Sequence, residues 1–482
     1  MADESNALQR LASALRRVEE VLSYLPDGKA KALREKIATV RGVLLEQRPP
    51  RLVLIGRRGA GKSSLINALF GAKVAEVGHI KSRTGQGRWY DHSSPAGTLC
   101  ILDTRGVQEG STPDEADKAP SAVASIVLEL KKKAPDLIVF LVKATEVDAA
   151  IDGDLKALQE VVEELEREHK VKPPIIAVAT HCDLLEPKSV QLHDADAADP
   201  AELEEKLLLV AAAERHLATK IRARTLLAPL LAKTMGVSSY LSFRADGTAR
   251  GDERWRIEAL CEAIFRSLPE SGRGMFVRVS RVRALQDELA GSLTRASAAL
   301  CAAFAALPIP VADIFPLTAI QVSLVAGIAW VSGRSLDLKS AGEFLSSLGV
   351  NVGAAFAMRE TARALIKFVF PGAGSAVSGV IAFSGTMAIG AAARAYYLRG
   401  VSMEEARREF ARARDKAERD PEASAATDGL PASSSANSSA EGPAAAPVAT
   451  PRTGEAPEAA PSPAPAPAPA DEPPSPAPAS SR

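Results

Sequence analysis

The sequence predicts an α/β domain with a mostly parallel sheet and helices on both faces, placed between N-terminal helices and a C-terminal all-α domain. Short, wholly apolar runs follow one another along the first half of the chain, as in buried parallel strands. They lie at Leu52–Ile55, Leu99–Leu102, Leu137–Leu141 and Ile175–Val178. Helical patterns separate them, at Ser63–Phe70, Pro120–Lys132 and Leu155–Glu168. This alternation is typical of a parallel α/β sheet.

Changes in composition divide the chain into four segments. Residues 1–48 carry two amphipathic helical patterns that need a partner surface, and residues 49–272 carry the α/β pattern with a helical insertion near 200–232. Residues 273–420 contain almost only helical stretches rich in Ala, Leu and Arg. Residues 421–482 hold 15 of the 32 prolines and no apolar face, which predicts a disordered tail.

Charge and cysteine content exclude several classes of protein. The chain has 59 basic and 59 acidic residues, and an acidic tail leaves the first 420 residues only mildly basic, so no nucleic acid partner is expected. The four cysteines lie far apart and the six histidines form no cluster, so neither a zinc site nor a disulfide framework is predicted. A reducing compartment is the simplest interpretation, and the polar N-terminus predicts no secretory signal.

A phosphate-binding motif directly follows the first predicted strand. It matches the pattern GxxxxGK[ST] and consists of Gly56, Arg57, Arg58, Gly59, Ala60, Gly61, Lys62 and Ser63, with Ser64 next. The glycines let successive backbone amides curl around a phosphate, and the following helix adds positive potential at its N-terminus. The motif predicts that Lys62 reaches the β- and γ-phosphates and that the Ser63 hydroxyl coordinates Mg²⁺.

The continuous run GRRGAGKSSLINALFG, from Gly56, closely resembles the first motif of Era-like GTPases of the TRAFAC class. The resemblance implies an α/β P-loop GTPase domain that binds GTP and GDP with Mg²⁺. Asp103-Thr104-Arg105-Gly106 then resembles the DxxG motif, in which Asp103 acts on Mg²⁺ through a water and the Gly106 amide binds the γ-phosphate. Thr84 stands where the family's Mg²⁺-binding threonine is expected, and Ser82 is a competing candidate.

Two further segments resemble the family's base-binding motifs. Thr180-His181-Cys182-Asp183 resembles [NT]KxD, which implies that Asp183 accepts hydrogen bonds from guanine N1–H and N2–H₂. His181 replaces the usual lysine, which packs over the base. For the last motif we select Ser242-Phe243-Arg244, with Ser238-Ser239 as the alternative.

The residues around these motifs predict slow hydrolysis that depends on a partner or on self-association. Val107 follows Gly106 where small GTPases carry a glutamine, and Gln108 comes one place late. Gly59 replaces the asparagine of potassium-activated relatives. Either Arg57 or Arg58 could supply the positive charge of an arginine finger. We favour the interpretation that both side chains point into solvent.

The segment 275–400 resembles a helical domain of unknown function that follows Era-like G domains in bacteria and occurs in YcjF-type inner-membrane proteins. It contains two uncharged stretches, 314–333 and 368–393, each long enough to span a bilayer. We therefore expect membrane association at the cytoplasmic face of the bacterial inner membrane, with a cytoplasmic helical bundle as the alternative. Asp313, just before the first stretch, is predicted to cap a helix.

Together these observations predict a GTPase that hydrolyses GTP to GDP and phosphate. Its loops around Thr84 and Asp103–Gly106 would control the helical region, against which the N-terminal helices are expected to pack. The alternatives are a GTP-gated membrane scaffold without turnover and a P-loop ATPase. A lipid bilayer, a second copy of the chain and an activating protein are the partners left open.

Overall fold

The computed structural model of the chain describes residues 27–74, 88–94, 97–103, 122–148, 151–305, 314–349 and 375–419, with single positions between 9 and 20. The strands are β1 Arg51–Gly56, β2 Arg88–Ser94, β3 Gly97–Asp103, β4 Leu137–Lys143, β5 Ile175–Thr180, β6 Leu231–Gly236, β7 Leu241–Phe243 and β8 Ala249–Asp252. The helices of the α/β part and of the segment before it are α1 Asp27–Leu44, α2 Lys62–Phe70, α3 Ala122–Lys132, α4 Ile151–His169, α5 Pro200–Arg222 and α6 Ile257–Ser267. The later helices are α7 Glu270–Ser280, α8 Arg283–Ala305, α9 Ile314–Val331, α10 Leu338–Ser347, α11 Ser375–Arg394 and α12 Met403–Ala417.

Six strands form one sheet in the order β2-β3-β1-β4-β5-β6. All neighbours pair in parallel except β2 and β3, which pair antiparallel at one edge. The four strands that the sequence predicts are all present, and the mostly parallel sheet is confirmed. Strand β1 lies inside the sheet, so the loop that follows it opens at the carboxyl edge, where ligands bind in open α/β sheets.

Three strand features are not visible in the sequence pattern. Strand β2 (RWYDHSS) is polar because it lies at an exposed edge, and β6 (LAKTMG) lacks a continuous apolar run. The sequence predicts a helical insertion near 200–232. In the structure the helix ends earlier, at Arg222, and the last residues of the predicted range belong to the start of β6. Strands β7 and β8 form a separate two-stranded hairpin.

Helices cover both faces of the sheet, as the apolar runs predict. Consecutive strand residues point to opposite faces, so Leu52 and Leu54 belong to one core and Val53 and Ile55 to the other. Side chains from α3, α4 and α5 fill the second core. The first core is larger, because it continues into α1 and into the helices that follow the sheet.

The segments before and after the α/β domain pack against each other. Helix α1 contacts α7 and α8, which confirms the expectation for the second N-terminal helix. Gln47 ties this contact to the sheet: its side-chain oxygen accepts from Gly274 N at 2.7 Å, and its amide donates to Gly42 O and Glu270 O. The start of β1 is thereby joined to α7.

Helix α9, which contains most of the uncharged stretch 314–333, lies in the core of the helical part. A methyl group added at Gly327 would stand 2.6 Å from Leu44 Cδ2 and 2.7 Å from Leu293 Cδ2, so α1 and α8 press against it from two sides. Gln286 Nε2 donates to Val331 O at 3.0 Å and satisfies a carbonyl at the end of α9. Throughout the described ranges, every helix falls short of the length and apolarity that a bilayer crossing requires. Asp313 and residues 368–374 lie outside the described residues.

Candidate functional site

The loop between β1 and α2 has the backbone conformation of a phosphate cradle. Gly59 and Gly61 have φ of +77° and +84°, in the left-handed region that only glycine enters freely. At Gly56 a Cβ would stand 2.5 Å from the backbone oxygen of Leu141, so the loop also needs a residue without a side chain there. Gly61 caps α2 without a side-chain acceptor, which leaves amides of the first turn for an external anion.

Lys62 lies across this loop. Its Nζ donates to Gly56 O at 2.9 Å and to Arg57 O at 3.0 Å. Both acceptors are loop carbonyls that a phosphate oxygen can replace as the partner of the ammonium group. Ser63 and Ser64 are half-buried in the first turn of α2, next to the cradle.

Arg57 departs from the sequence-based interpretation that both loop arginines point into solvent. Its Nε lies 2.8 Å from Asp154 Oδ2, and the Asp154 side chain is only 3% exposed. Burial raises the pKa of Asp154, and the hydrogen bond from Arg57 opposes that rise. The solvent prediction is therefore wrong for Arg57, because a buried carboxylate needs a cationic partner. Arg58 is exposed.

Asp103 ends β3, the neighbour of β1. The two strands run in parallel with Leu54 opposite Asp103, so this residue reaches the same edge of the sheet as the phosphate cradle. The side chain of Asp103 lies outside the described residues, as do Ser82, Thr84, Gly106, Val107 and Gln108. Their predicted roles stay predictions.

The segment Thr180–Asp183 begins at the last residue of β5 and touches the phosphate cradle. The Thr180 hydroxyl is buried and donates to Ala60 O at 3.0 Å. His181 has φ of +56°, and its Nδ1 lies 3.0 Å from Thr180 Oγ1. A Cβ added to Gly61 would stand 3.1 Å from His181 Cε1, so the imidazole packs beside the cradle. Burial lowers the pKa of His181, which keeps the ring neutral at physiological pH.

Asp183 is held by groups on two later elements. Its Oδ1 accepts from Ser238 Oγ at 2.8 Å, and its backbone oxygen accepts from Lys206 Nζ at 2.9 Å. Ser238 follows β6 and is 1% exposed. Ser238, which belongs to the alternative pair Ser238–Ser239 for the last base-binding motif, therefore lies beside Asp183. Ser242 and Phe243 lie in β7, where the Ser242 hydroxyl faces Gly251 O at 3.4 Å.

Sequence patterns alone missed two residues of this site. Asp154 lies in α4 and Lys206 in α5, far along the chain from the groups that they contact. Neither belongs to a motif, and each occupies a helix that also carries many exposed acidic or basic residues. Only their burial distinguishes them from those neighbours.

Comparison with known families agrees with this geometry. Residues 51–181 match the family model described as 50S ribosome-binding GTPase. This part of the chain has the fold of a P-loop GTPase domain. The match spans β1 to the residue after β5, so it includes the phosphate cradle and ends inside the segment Thr180–Asp183.

Solved structures with low identity also align with the chain. Toc33 from Arabidopsis thaliana is 17% identical, with a TM-score of 0.32, over 53% of this chain and 94% of that one. Era, solved with MgGDPNP and part of 16S ribosomal RNA, is 19% identical, with a TM-score of 0.28, over 53% and 68%. A GTP-binding protein from Sulfolobus solfataricus, solved with GDP, is 17% identical, with a TM-score of 0.24, over 55% and 66%.

Proposed function

We propose that the chain binds GTP and GDP with Mg²⁺ and hydrolyses GTP to GDP and phosphate. The observation that carries this proposal is the buried hydrogen bond from Thr180 Oγ1 to Ala60 O. It joins the segment that presents Asp183 directly to the phosphate cradle. A single nucleotide can therefore engage both, with its phosphates in the cradle and its base against Asp183.

Hydrogen-bond donors of the cradle face the phosphate end of the nucleotide. The cradle supplies backbone amides, and Lys62 exchanges the carbonyls of Gly56 and Arg57 for the β- and γ-phosphate oxygens. The glycines allow the close approach that these amides need, since a side chain at Gly56 would meet the backbone of β4. The residues present thus fit a nucleoside triphosphate.

The base end selects guanine through one carboxylate. Asp183 offers acceptors that match the N1–H and N2–H₂ donors of guanine, and adenine lacks this pair. Ser238 donates to one oxygen of Asp183 and so fixes the plane of the carboxylate. The neutral imidazole of His181, beside Gly61, can pack against the base where relatives use a lysine.

Ser63, Thr84 and Asp103 are the residues proposed to hold Mg²⁺. When bound, the ion would neutralise charge on the phosphates. Lys62 and the Gly106 amide would stabilise the charge that develops on the γ-phosphate. We propose slow hydrolysis in the absence of a partner, because Val107 cannot orient the attacking water.

We also propose that the nucleotide state controls the helical part of the chain. Support comes from the packing of α7 on β3, the strand that ends at Asp103: a Cβ at Gly97 would stand 2.5 Å from Met275 Sδ. Gln47 adds a second link between α7 and the start of β1. Both contacts lie at the starts of these strands, so a displacement at their carboxyl ends, where the nucleotide would bind, would reach α7 along β1 and β3.

Replacement of Asp183 by Asn tests the proposed specificity. The amide presents a donor where guanine also presents donors, and it matches the 2-oxo group of xanthine. We expect GDP affinity to fall at least about 100-fold and XDP affinity to rise, measured by calorimetry with Mg²⁺ present. Unchanged GDP and XDP affinities in the variant, or a wild-type preference for ADP, would favour the ATPase alternative.

Turnover separates hydrolysis from a binding scaffold. Single-turnover GTP hydrolysis by the full chain, with and without liposomes, should yield GDP and phosphate in both cases. Binding without any turnover under either condition would favour the scaffold. Acceleration by liposomes would support the predicted membrane association, and co-sedimentation of the protein with the vesicles would serve as its independent measure.

A further inference from the structure

A buried lysine holds the segment that presents Asp183. Lys206 lies in α5, and its side chain is 0% exposed. Its Nζ donates to three backbone oxygens: Asp183 O at 2.9 Å, Pro187 O at 3.1 Å and Val190 O at 2.8 Å. The three acceptors account for all three hydrogens of the ammonium group.

Such burial of a charged group is unfavourable unless strong hydrogen bonds offset it. Burial lowers the pKa of Lys206, and the carbonyl oxygens around it supply partners for its charged form. A cation with three fixed acceptors draws those acceptors together. Lys206 thereby closes residues 183–190 into one compact loop against α5.

Two anchors act on Asp183 from different elements. Lys206 fixes its backbone oxygen, and Ser238 fixes its carboxylate. The preceding residue, Cys182, is also held in place, because its amide donates to Val237 O at 3.3 Å. The position and the orientation of the carboxylate are thus set by α5 and by the segment after β6 before any nucleotide binds.

We propose that Lys206 is a positioning residue for guanine selectivity: it holds Asp183 where the carboxylate can accept from both N1–H and N2–H₂ of the base. The proposal rests on the proposed GTPase function. Lys206 touches neither the nucleotide nor the reacting atoms, so its effect appears in selectivity for the base and not in affinity for the phosphates.

The test compares GDP with IDP, whose base lacks the 2-amino group. In Lys206→Met, which keeps an unbranched apolar chain as far as Cε and removes the ammonium group, we expect the GDP-to-IDP affinity ratio to fall about tenfold or more. The GTP-to-GDP ratio should stay unchanged, because the phosphates bind to the cradle. A general loss of stability would lower all affinities and leave the GDP-to-IDP ratio intact.

Lys220→Met is the matched control, since Lys220 lies in the last turn of the same helix. It should leave both ratios at their wild-type values. A Lys206→Met protein that keeps the wild-type GDP-to-IDP ratio would overturn the inference and leave the proposed GTPase function intact. A wild-type protein that binds no guanine nucleotide would instead overturn the proposed function.

The unaltered protein provides a second measurement that does not depend on the variant. The amides of Leu184, Leu185 and Val190 in the loop donate to the backbone oxygens of His181, Cys182 and Pro187. If Lys206 preorganises the loop, these amides are protected from hydrogen exchange in the nucleotide-free protein, and GDP adds little protection. Free exchange without nucleotide, followed by strong protection with GDP, would contradict the proposal even if Lys206→Met did not fold.

Discussion

The ion pair between Arg57 and Asp154 is the residue-scale feature that most changes the interpretation of the phosphate loop. In the sequence, Arg57 is a candidate for an arginine finger or for an exposed side chain. In the structure its side chain is 25% exposed and holds a carboxylate that is almost fully buried. Arg57 therefore fastens the cradle to α4, and Arg58 is left as the exposed arginine of the loop.

Replacement of Arg57 by Ala should destabilise the folded protein, because Asp154 stays buried without its cationic partner. We expect the free energy of unfolding at pH 7.5 to fall by about 1–2 kcal/mol, measured by denaturant titration. The double variant with Asp154→Asn should recover most of that loss, because the buried charge is then gone. Recovery of less than a quarter would indicate that the ion pair does not explain the effect.

The same variant has a predictable dependence on pH. Without Arg57, burial dominates, and the pKa of Asp154 in the folded state lies above that in the unfolded chain. The folded variant then binds a proton at a higher pH than the unfolded chain does, so its stability increases as the pH falls. The deficit relative to wild type should therefore be smaller at pH 5 than at pH 7.5. An equal deficit at both values would contradict this assignment.

At the scale of elements, small residues set the distances between helices of the C-terminal part. Helices α8 and α11 approach so closely that a Cβ at Gly390 would stand 2.2 Å from Thr294 Cγ2. Thr294 is branched at Cβ and buried, and its hydroxyl donates to Ala290 O. It therefore has little freedom to move aside. The Arg394–Asp287 ion pair joins the same two helices further along.

Gly390→Ala should consequently force α8 and α11 apart. We expect the free energy of unfolding to fall by about 1–3 kcal/mol. Gly385→Ala in the same helix is the matched control, because nothing lies within 4 Å of its added Cβ. That variant should be stabilised by about 0.5–1 kcal/mol through the better helix propensity of alanine. Similar midpoints for the two variants in chemical denaturation would refute the close packing.

At the scale of the whole molecule, one apolar core runs from the sheet into the helices around it. It includes Leu52 and Leu99 in the sheet, Phe276 in α7, Leu293 in α8 and Val40 in α1. The segments 1–48 and 273–420 differ in composition from the α/β domain. Their side chains nevertheless complete one face of its sheet.

A chain that contains only residues 49–272 should therefore be much less stable than the full protein. Its sheet would expose the face that α7 and α1 cover, so we expect a melting temperature at least about 10 °C lower, measured by circular dichroism, and a tendency to aggregate. The control is a chain that ends at residue 420 and lacks only the predicted disordered tail. Equal melting temperatures for the 49–272 chain and the full chain would show that the shared core contributes little.

The sequence by itself determined the four inner strands of the sheet, the helices between them and the phosphate cradle. These features depend on local information: an apolar run makes a buried strand, and GxxxxGK[ST] curls because its glycines permit it. Edge strand β2 and strand β6 escaped prediction because neither is buried on both faces, so neither has a continuous apolar run.

The tertiary structure alone decided which distant groups complete the site. Arg57 and Asp154 are 97 residues apart, Asp183 and Ser238 are 55 apart, and Asp183 and Lys206 are 23 apart. Sequence spacing carries no sign of such pairs, since a buried lysine or aspartate looks like a surface one until its surroundings are known. Their energies arise from burial and from fixed hydrogen-bond geometry, which exist only once the sheet and the helices have packed.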